Sequence, residues 1–84
     1  METLDRAAII DLLVEAGNRR DVATMYADCY LEYAEASANI QQHGIVVLHP
    51  RTNTPLTNPY AAIRDAALRK LQGMVNVKGA ASLW

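Results

Sequence analysis

The stretch QHGIVVLHPRTNTPLTNPYAAIRDAAL, residues 42–68, decides the fold because its character changes twice. After Gly44, the run Ile45 to Leu48 is apolar, largely β-branched and uncharged, which predicts a strand. Pro50 and Pro55 then enclose RTNT, whose Thr and Asn side chains can bond the local backbone in turns. The stretch therefore predicts a short hairpin or protruding loop between two other elements.

A helix is predicted on the C-terminal side of this hairpin. Asn58 can cap it, and Pro59 suits the first helical position because its missing N–H costs nothing there. Gly73 is the predicted end. The apolar stripe of this helix consists of Tyr60, Ile63, Ala67, Leu68 and Leu71.

The helix on the N-terminal side, from about Arg19 to His43, is the longest predicted element, and Gly44 ends it. Its apolar residues follow a four-three spacing that indicates a heptad seam: Val22, Tyr26, Cys29, Tyr33, Ala36 and Ile40. A neighbouring row is small and apolar: Ala27, Leu31, Ala34 and Ala38. Two apolar faces on one helix of a small chain favour a homo-oligomer, although the chain could also cover both faces itself.

A first helix is predicted before Gly17, with Thr3 as its cap and Leu4, Ile9, Ile10, Leu13 and Val14 at helical spacing. Asn18, followed three residues later by Asp21, predicts the start of the long helix. The fold class is therefore mainly α: a small helical oligomerisation domain, residues 1–73, whose long helix and following helix form an antiparallel pair. Residues 74–84 lack clear periodicity and are predicted to be a C-terminal tail that exposes Leu83 and Trp84.

Several classes of protein are disfavoured by composition. Cys29 is the single cysteine, which excludes an internal disulfide and a multi-cysteine metal site. No apolar run approaches the ~20 residues of a membrane span, and the N-terminal residues carry no secretory pattern, which predicts a cytosolic protein. The sequence has no GxxxxGK phosphate loop. We therefore predict neither a cofactor nor a metal; a metal-dependent enzyme that uses His43 and His49 across a subunit interface is a remote alternative.

Charge is distributed unevenly along the chain. Residues 1–50 hold three basic and eight acidic side chains, a balance of -5, whereas residues 51–84 hold five basic and one acidic, a balance of +4. The candidate DNA-binding residues are Arg64, Arg69, Lys70 and Lys78. Alternatively, the two halves neutralise each other within one subunit or between neighbours. The tyrosines of the long helix are predicted to pack between helices, because they recur at packing intervals.

The longer stretch YLEYAEASANIQQHGIVVLHPRTNTPLTNPYAAIRDAALRKL joins a tyrosine-bearing helix ending in HG, an apolar strand, a Pro-Leu turn and the helix start NPYAAIRDAAL. In this order the elements resemble the phage terminase small subunits of the P27 type, over about Tyr26 to Leu71. The resemblance implies a non-catalytic DNA-packaging component that forms a ring, engages double-stranded viral DNA and regulates the terminase large subunit in the host cytoplasm. The alternative is a helical assembly or regulatory protein without nucleic-acid binding.

The predicted oligomer interface combines the seam with the strand. An apolar strand without a strong partner in its own chain leaves backbone groups unpaired, which favours pairing with a neighbour or an imperfect hairpin. The interface residues predicted on this basis are Tyr26, Cys29, Tyr33, Ala36, Ile40, Val46 and Val47.

Overall fold

The computed structural model describes residues 5–84, which form three α-helices, one hairpin and a short 3₁₀-helix. In chain order these are α1 (Arg6–Glu15), α2 (Arg20–His43), β1 (Val46–Leu48), β2 (Pro55–Thr57), α3 (Pro59–Gly73) and the 3₁₀-helix (Ala80–Leu83). The start of α3 is bonded to the end of α2, and Leu71 near the end of α3 packs with Tyr26 of α2. The predicted mainly α class, with an antiparallel helix pair joined by a hairpin, is confirmed.

The helix α1 begins after Asp5, whose carboxylate accepts a hydrogen bond from the Ala8 amide at 2.7 Å. This bond satisfies one of the amide groups that a helix N-terminus leaves free. Thr3, the predicted cap, lies outside the described residues, as does Leu4. Within the described residues, Asp5 is therefore the N-cap of α1.

The turn between α1 and α2 is a Schellman motif. The Gly17 amide donates to the Val14 carbonyl at 3.0 Å, and the Asn18 amide donates to the Leu13 carbonyl at 3.2 Å. Gly17 has a φ of 109°, which a residue with a Cβ rarely adopts. The prediction that Gly17 ends the first helix is confirmed.

The predicted role of Asn18 at the start of α2 is wrong. Arg19 occupies the N-cap position and makes no side-chain capping bond. The Asn18 amide group instead donates to the carbonyls of Leu13 and Lys78 at 2.8 and 2.7 Å, and its side-chain oxygen accepts from the Lys78 amide at 2.9 Å. Tertiary hydrogen bonds have replaced the local cap.

The C-terminal residues 74–84, which we call the strap, pack back onto α2. The indole ring of Trp84 meets the phenol rings of Tyr30 and Tyr33 edge to face, with centroids 5.1 and 5.2 Å apart. The Trp84 Nε1 donates to the Tyr26 hydroxyl at 3.0 Å, and the Tyr30 hydroxyl donates to the Leu83 carbonyl at 2.9 Å. The division of the chain at Gly73 into a domain and a tail remains a prediction, but the strap contributes packing to the helical core.

The core is concentrated at one end of the molecule, which we call the body. It joins α1, the first half of α2, the end of α3 and the strap, and its buried cluster consists of Ile9, Ile10, Leu13, Ala23, Tyr26, Ala27 and Leu71. The molecule measures 51 × 26 × 17 Å. Its radius of gyration is 15.3 Å, against about 12 Å for a compact chain of this length. The chain is therefore elongated away from its core.

The other end, which we call the arm, consists of residues 31–66. It contains the second half of α2, the hairpin and the first half of α3. Its buried residues are small or polar, namely Ala36, Asn58 and Ala61, whereas the large side chains that are fully buried, Ile9 and Leu13, lie in the body. Little apolar burial within the chain stabilises the arm.

A substitution at Gly79 tests whether the strap packs closely against the end of α1. The φ of Gly79 is 75°, and a Cβ at this position would lie 2.7 Å from the Cβ of Ala16. We expect Gly79→Ala to lower the free energy of unfolding by about 1–2 kcal/mol through backbone strain alone. Urea denaturation measures this change.

Gly73→Ala is the matched control, because a Cβ there would meet nothing within 4 Å. It should leave stability unchanged or raise it by about 0.5 kcal/mol. Equal urea midpoints for the two variants would show that Gly79 does not lie against Ala16 in the folded protein.

Candidate assembly and nucleic-acid surfaces

The seam predicted on α2 is partly covered by its own chain. Tyr26 and Ala36 are buried, and Cys29, Tyr33 and Ile40 are half-buried. Burial raises the pKa of the Cys29 thiol, an effect that Lys70 partly offsets. The assignment of these five residues to an intersubunit surface stays a prediction, and the strap already occupies part of their surface.

The hairpin exposes more apolar surface than the seam does. Its strands pair antiparallel, with Val46 opposite Thr57, Val47 opposite Leu56 and Leu48 opposite Pro55. Because side chains alternate along a strand, Val46 and Leu48 share one face, which we call the hairpin face. Val46 and Leu48 are 56% and 61% exposed, whereas Val47 is half-buried.

Of the two predicted hairpin residues, Val46 is therefore the more available to a second subunit. Leu48 belongs to the apolar run predicted as a strand but was not among the named interface residues, although its two-residue spacing from Val46 was a usable signal. Ile45, Leu56 and Ile63 add further exposed apolar surface to the arm. A two-stranded hairpin is marginal by itself, so burial against a partner would stabilise it.

A shallow groove runs along the part of α2 that belongs to the arm. It has a volume of about 270 Å³ and is lined by Leu31, Ala34, Glu35 and Ala38. Three of these belong to the small row predicted as a close-approach face; the fourth member of that row, Ala27, is in the core. We call this surface the α2 groove.

An acidic stripe adjoins the α2 groove. Asp28, Glu32 and Glu35 follow the i, i+4, i+7 spacing of one helix face, and all are exposed. Arg6 binds Asp28 with 2.6 Å between Nε and Oδ1, and this hydrogen bond holds the pKa of Asp28 below its usual range. Within residues 5–84, no salt bridge neutralises Glu32 or Glu35.

The predicted DNA-binding residues lie on two parts of the chain, α3 and the strap. Arg69 and Lys70 are consecutive and exposed on α3, and neither forms an ion pair among the described residues. Arg64 binds its neighbour Asp65 at 3.1 Å. Lys78 lies on the strap, with its side chain beside Gly17. Arg69 and Lys70 are therefore the most available pair.

Charge neutralisation within one subunit finds little support in the part of the chain that the structure describes. The ion pairs there are Arg6 with Asp28, Arg19 with Asp21 and Arg64 with Asp65. None joins a basic residue after position 50 to an acidic residue before it. The basic and acidic surfaces of residues 5–84 both remain available to partners.

The two histidines are separate. His43 is exposed at the end of α2, and the Nδ1 of His49 accepts a hydrogen bond from the Arg51 amide at 3.2 Å. Residues 5–84 contain no cluster of three or more potential metal ligands from His, Cys, Asp and Glu. No helix among them has the length and apolar character needed to cross a membrane.

A second cavity, of about 390 Å³, lies where the α1–α2 turn meets the strap. Gly17, Asn18 and Arg19 form one wall, and residues 73–78 form much of the other. The Asn18 bonds to Lys78 close its inner end. The cavity is thus a by-product of the strap crossing the turn.

Comparison with known proteins relates the chain to a family. A protein-family model described as "Phage terminase, small subunit" matches residues 5–77, which is most of the chain. Neither the curated proteins nor the solved structures contain a significant match. The family match includes both the body helices and the arm.

Proposed function

The chain belongs to the family of phage terminase small subunits, and we propose that it acts as an oligomeric DNA-packaging component that engages viral DNA and regulates the large subunit. Membership of this family supports a role in phage DNA packaging. Self-assembly, DNA contact and regulation of the large-subunit ATPase and nuclease are the further parts of the proposal.

The exposed arm is the observation that supports assembly. It carries the hairpin face and the α2 groove but buries only small or polar residues within its own chain. A chain of 84 residues buries a limited share of its surface, so docking of this arm on a second copy would supply missing apolar contacts. A ring is the assembly that the resemblance implies.

The exposed pair Arg69 and Lys70 supports DNA contact. Each side chain can neutralise a phosphate, and a ring would repeat the pair in every subunit, so that weak contacts add up around a duplex. The acidic stripe disfavours placing α2 in a DNA groove. We therefore propose backbone contacts without base readout, with Arg64 and Lys78 as lesser contributors.

Catalysis is assigned to the large subunit in this proposal. The small subunit would act in the host cytoplasm by binding DNA and the large subunit, without a cofactor or metal of its own. The surface that contacts the large subunit would have to remain accessible after assembly.

A helical assembly protein without nucleic-acid binding is the second candidate. Glu32 and Glu35 of the acidic stripe and the pair Arg69 and Lys70, which form no ion pairs within residues 5–84, favour it, because these charges could neutralise each other between subunits. The two candidates differ in whether Arg69 and Lys70 hold DNA or hold the assembly.

Replacement of both residues, Arg69→Gln with Lys70→Gln, distinguishes them. Under the DNA proposal, native mass is unchanged, DNA retention falls, and the slope of log affinity against log salt becomes shallower by about 0.9 for each phosphate that is no longer neutralised. Retention on a duplex column over a salt series and native mass spectrometry measure these quantities.

Arg19→Gln with Arg20→Gln is the matched control, because it removes the same charge from an exposed pair outside α3. This control should retain DNA like the parent. A lower native mass of the Arg69 and Lys70 variant would favour charge pairing between subunits. A parent that shows no retention even at low salt would remove DNA engagement from the proposal.

A further inference from the structure

We propose that the hairpin face of one copy docks in the α2 groove of the next copy, which makes the subunit contact heterologous. The inference rests on the assembly part of the proposed function and specifies its geometry. The occupant of the groove is thus a second copy of this chain.

The two surfaces are complementary in shape and polarity. The groove has small side chains at Ala34 and Ala38 beside Leu31, so another backbone can approach α2 closely. The hairpin presents Val46 and Leu48, branched apolar side chains that are more than half exposed on a single face. Docking would remove both apolar surfaces from water.

The charges at the edges of these surfaces are also complementary. Glu35 lines the groove, and Glu32 lies one residue from Leu31 in the adjoining acidic stripe. Arg51 is exposed at the hairpin turn, three residues from Leu48, and forms no ion pair within residues 5–84. Opposite charges at the rim of an apolar contact fix its register and disfavour wrong partners.

The hairpin face and the groove are two different surfaces of the same chain. Ala34 and Ala38 each lie two residues from buried Ala36, which places them about 200° around the helix from it. The base of the hairpin is held at the end of α2, where Asn58 bonds the Gly44 carbonyl. A contact between two different surfaces can repeat from copy to copy, and it closes into a ring if the rotation permits.

Two variants that each block one surface test the proposal. Ala38→Arg fills the groove with a bulky cation, and Leu48→Asp places a carboxylate on the hairpin face; both parent residues are exposed, so both variants should fold. Ala62→Arg, at an exposed alanine of α3, is the matched control and should assemble like the parent. Circular dichroism verifies helicity in all three.

Each blocked variant alone is expected to be a monomer of 9.2 kDa at concentrations where the parent assembles. Mixing them in equal amounts leaves one intact contact, between the groove of the Leu48→Asp chain and the hairpin of the Ala38→Arg chain. The mixture should therefore form a one-to-one dimer. Native mass spectrometry reads the stoichiometry directly, because the variants differ in mass.

A mixture that stays monomeric while both variants are folded would overturn the heterologous contact. Self-association of Ala38→Arg beside a monomeric Leu48→Asp would overturn it in favour of hairpin against hairpin. If Ala38→Arg melts earlier but keeps the parent mass, the groove serves packing within one chain and the docking proposal is overturned. A monomeric parent would instead refute the assembly part of the proposed function. These outcomes separate the docking mode from the function on which it rests.

Discussion

Replacing Asn58 by alanine is expected to lower the free energy of unfolding by about 2–4 kcal/mol, because one buried side chain bonds α2, the residue that ends α2 and the start of α3. Asn58 is 3% exposed. Its amide group donates to the Asn39 Oδ1 at 3.0 Å and to the Gly44 carbonyl at 2.9 Å, and its oxygen accepts from the Tyr60 amide at 3.0 Å. Truncation removes a helix cap and leaves a carbonyl without its partner, and each of these effects costs about 1 kcal/mol or more.

Urea denaturation of Asn58→Ala beside two comparison variants measures this effect. Asn76→Ala changes an exposed asparagine and should stay within about 0.5 kcal/mol of the parent. Asn58→Asp keeps the oxygen that caps α3 but cannot donate to Asn39 or Gly44, so its stability should differ from that of the alanine variant. If Asn58→Ala denatures like Asn76→Ala, the link between α2 and α3 is not held by this side chain.

The sequence predicted that Asn58 caps α3, but it did not predict the bonds of Asn58 to Asn39 and Gly44. The cap of α3 is local: an asparagine before a proline at the first helical position is sufficient to predict it. The bonds to Asn39 and Gly44 join residues 19 and 14 positions away. No local pattern encodes such partners, because they depend on how α2 and α3 come together.

For Asn18, the local prediction of a helix cap was wrong. Its spacing from Asp21 predicted a helix start, yet its side chain bonds the backbone of Lys78, which is 60 residues away. Tertiary bonds outcompeted the local cap, since Asn side chains can serve either purpose. The strap was unpredicted for the same reason: residues 74–84 lack periodicity, and their order comes from contacts with α2.

The α2 seam shows the limit of periodicity in a small protein. The four-three spacing correctly placed Tyr26 and Ala36 on a covered face of α2, since both are buried in the described chain. Periodicity cannot specify whether the covering surface belongs to the same chain or to another. The strand and the small row of α2 were interface candidates from the sequence, and the structure added which of their residues are exposed.

Replacing Asn18 by alanine is expected to lower the free energy of unfolding by about 2–3 kcal/mol and to release the strap, because this side chain makes three hydrogen bonds to the backbone. Trp84 is the single tryptophan of the chain, so its fluorescence reports the strap directly. Release from the edges of Tyr30 and Tyr33 should move its emission toward that of a fully hydrated indole. Lys78→Ala is the control, since Asn18 bonds the backbone of Lys78 and not its side chain.

The native mass of Asn18→Ala then tests what the seam does. If Tyr26, Cys29 and Tyr33 contact a second subunit, as the spacing predicted, a released strap uncovers that surface and the assembly should grow or tighten. If the seam serves only packing within the chain, stability falls while the mass at a given concentration is unchanged or reduced. An Asn18→Ala variant with the urea midpoint and the tryptophan emission of Lys78→Ala would instead mean that the other strap contacts, such as those of Leu83 and Trp84 with α2, hold the strap without Asn18.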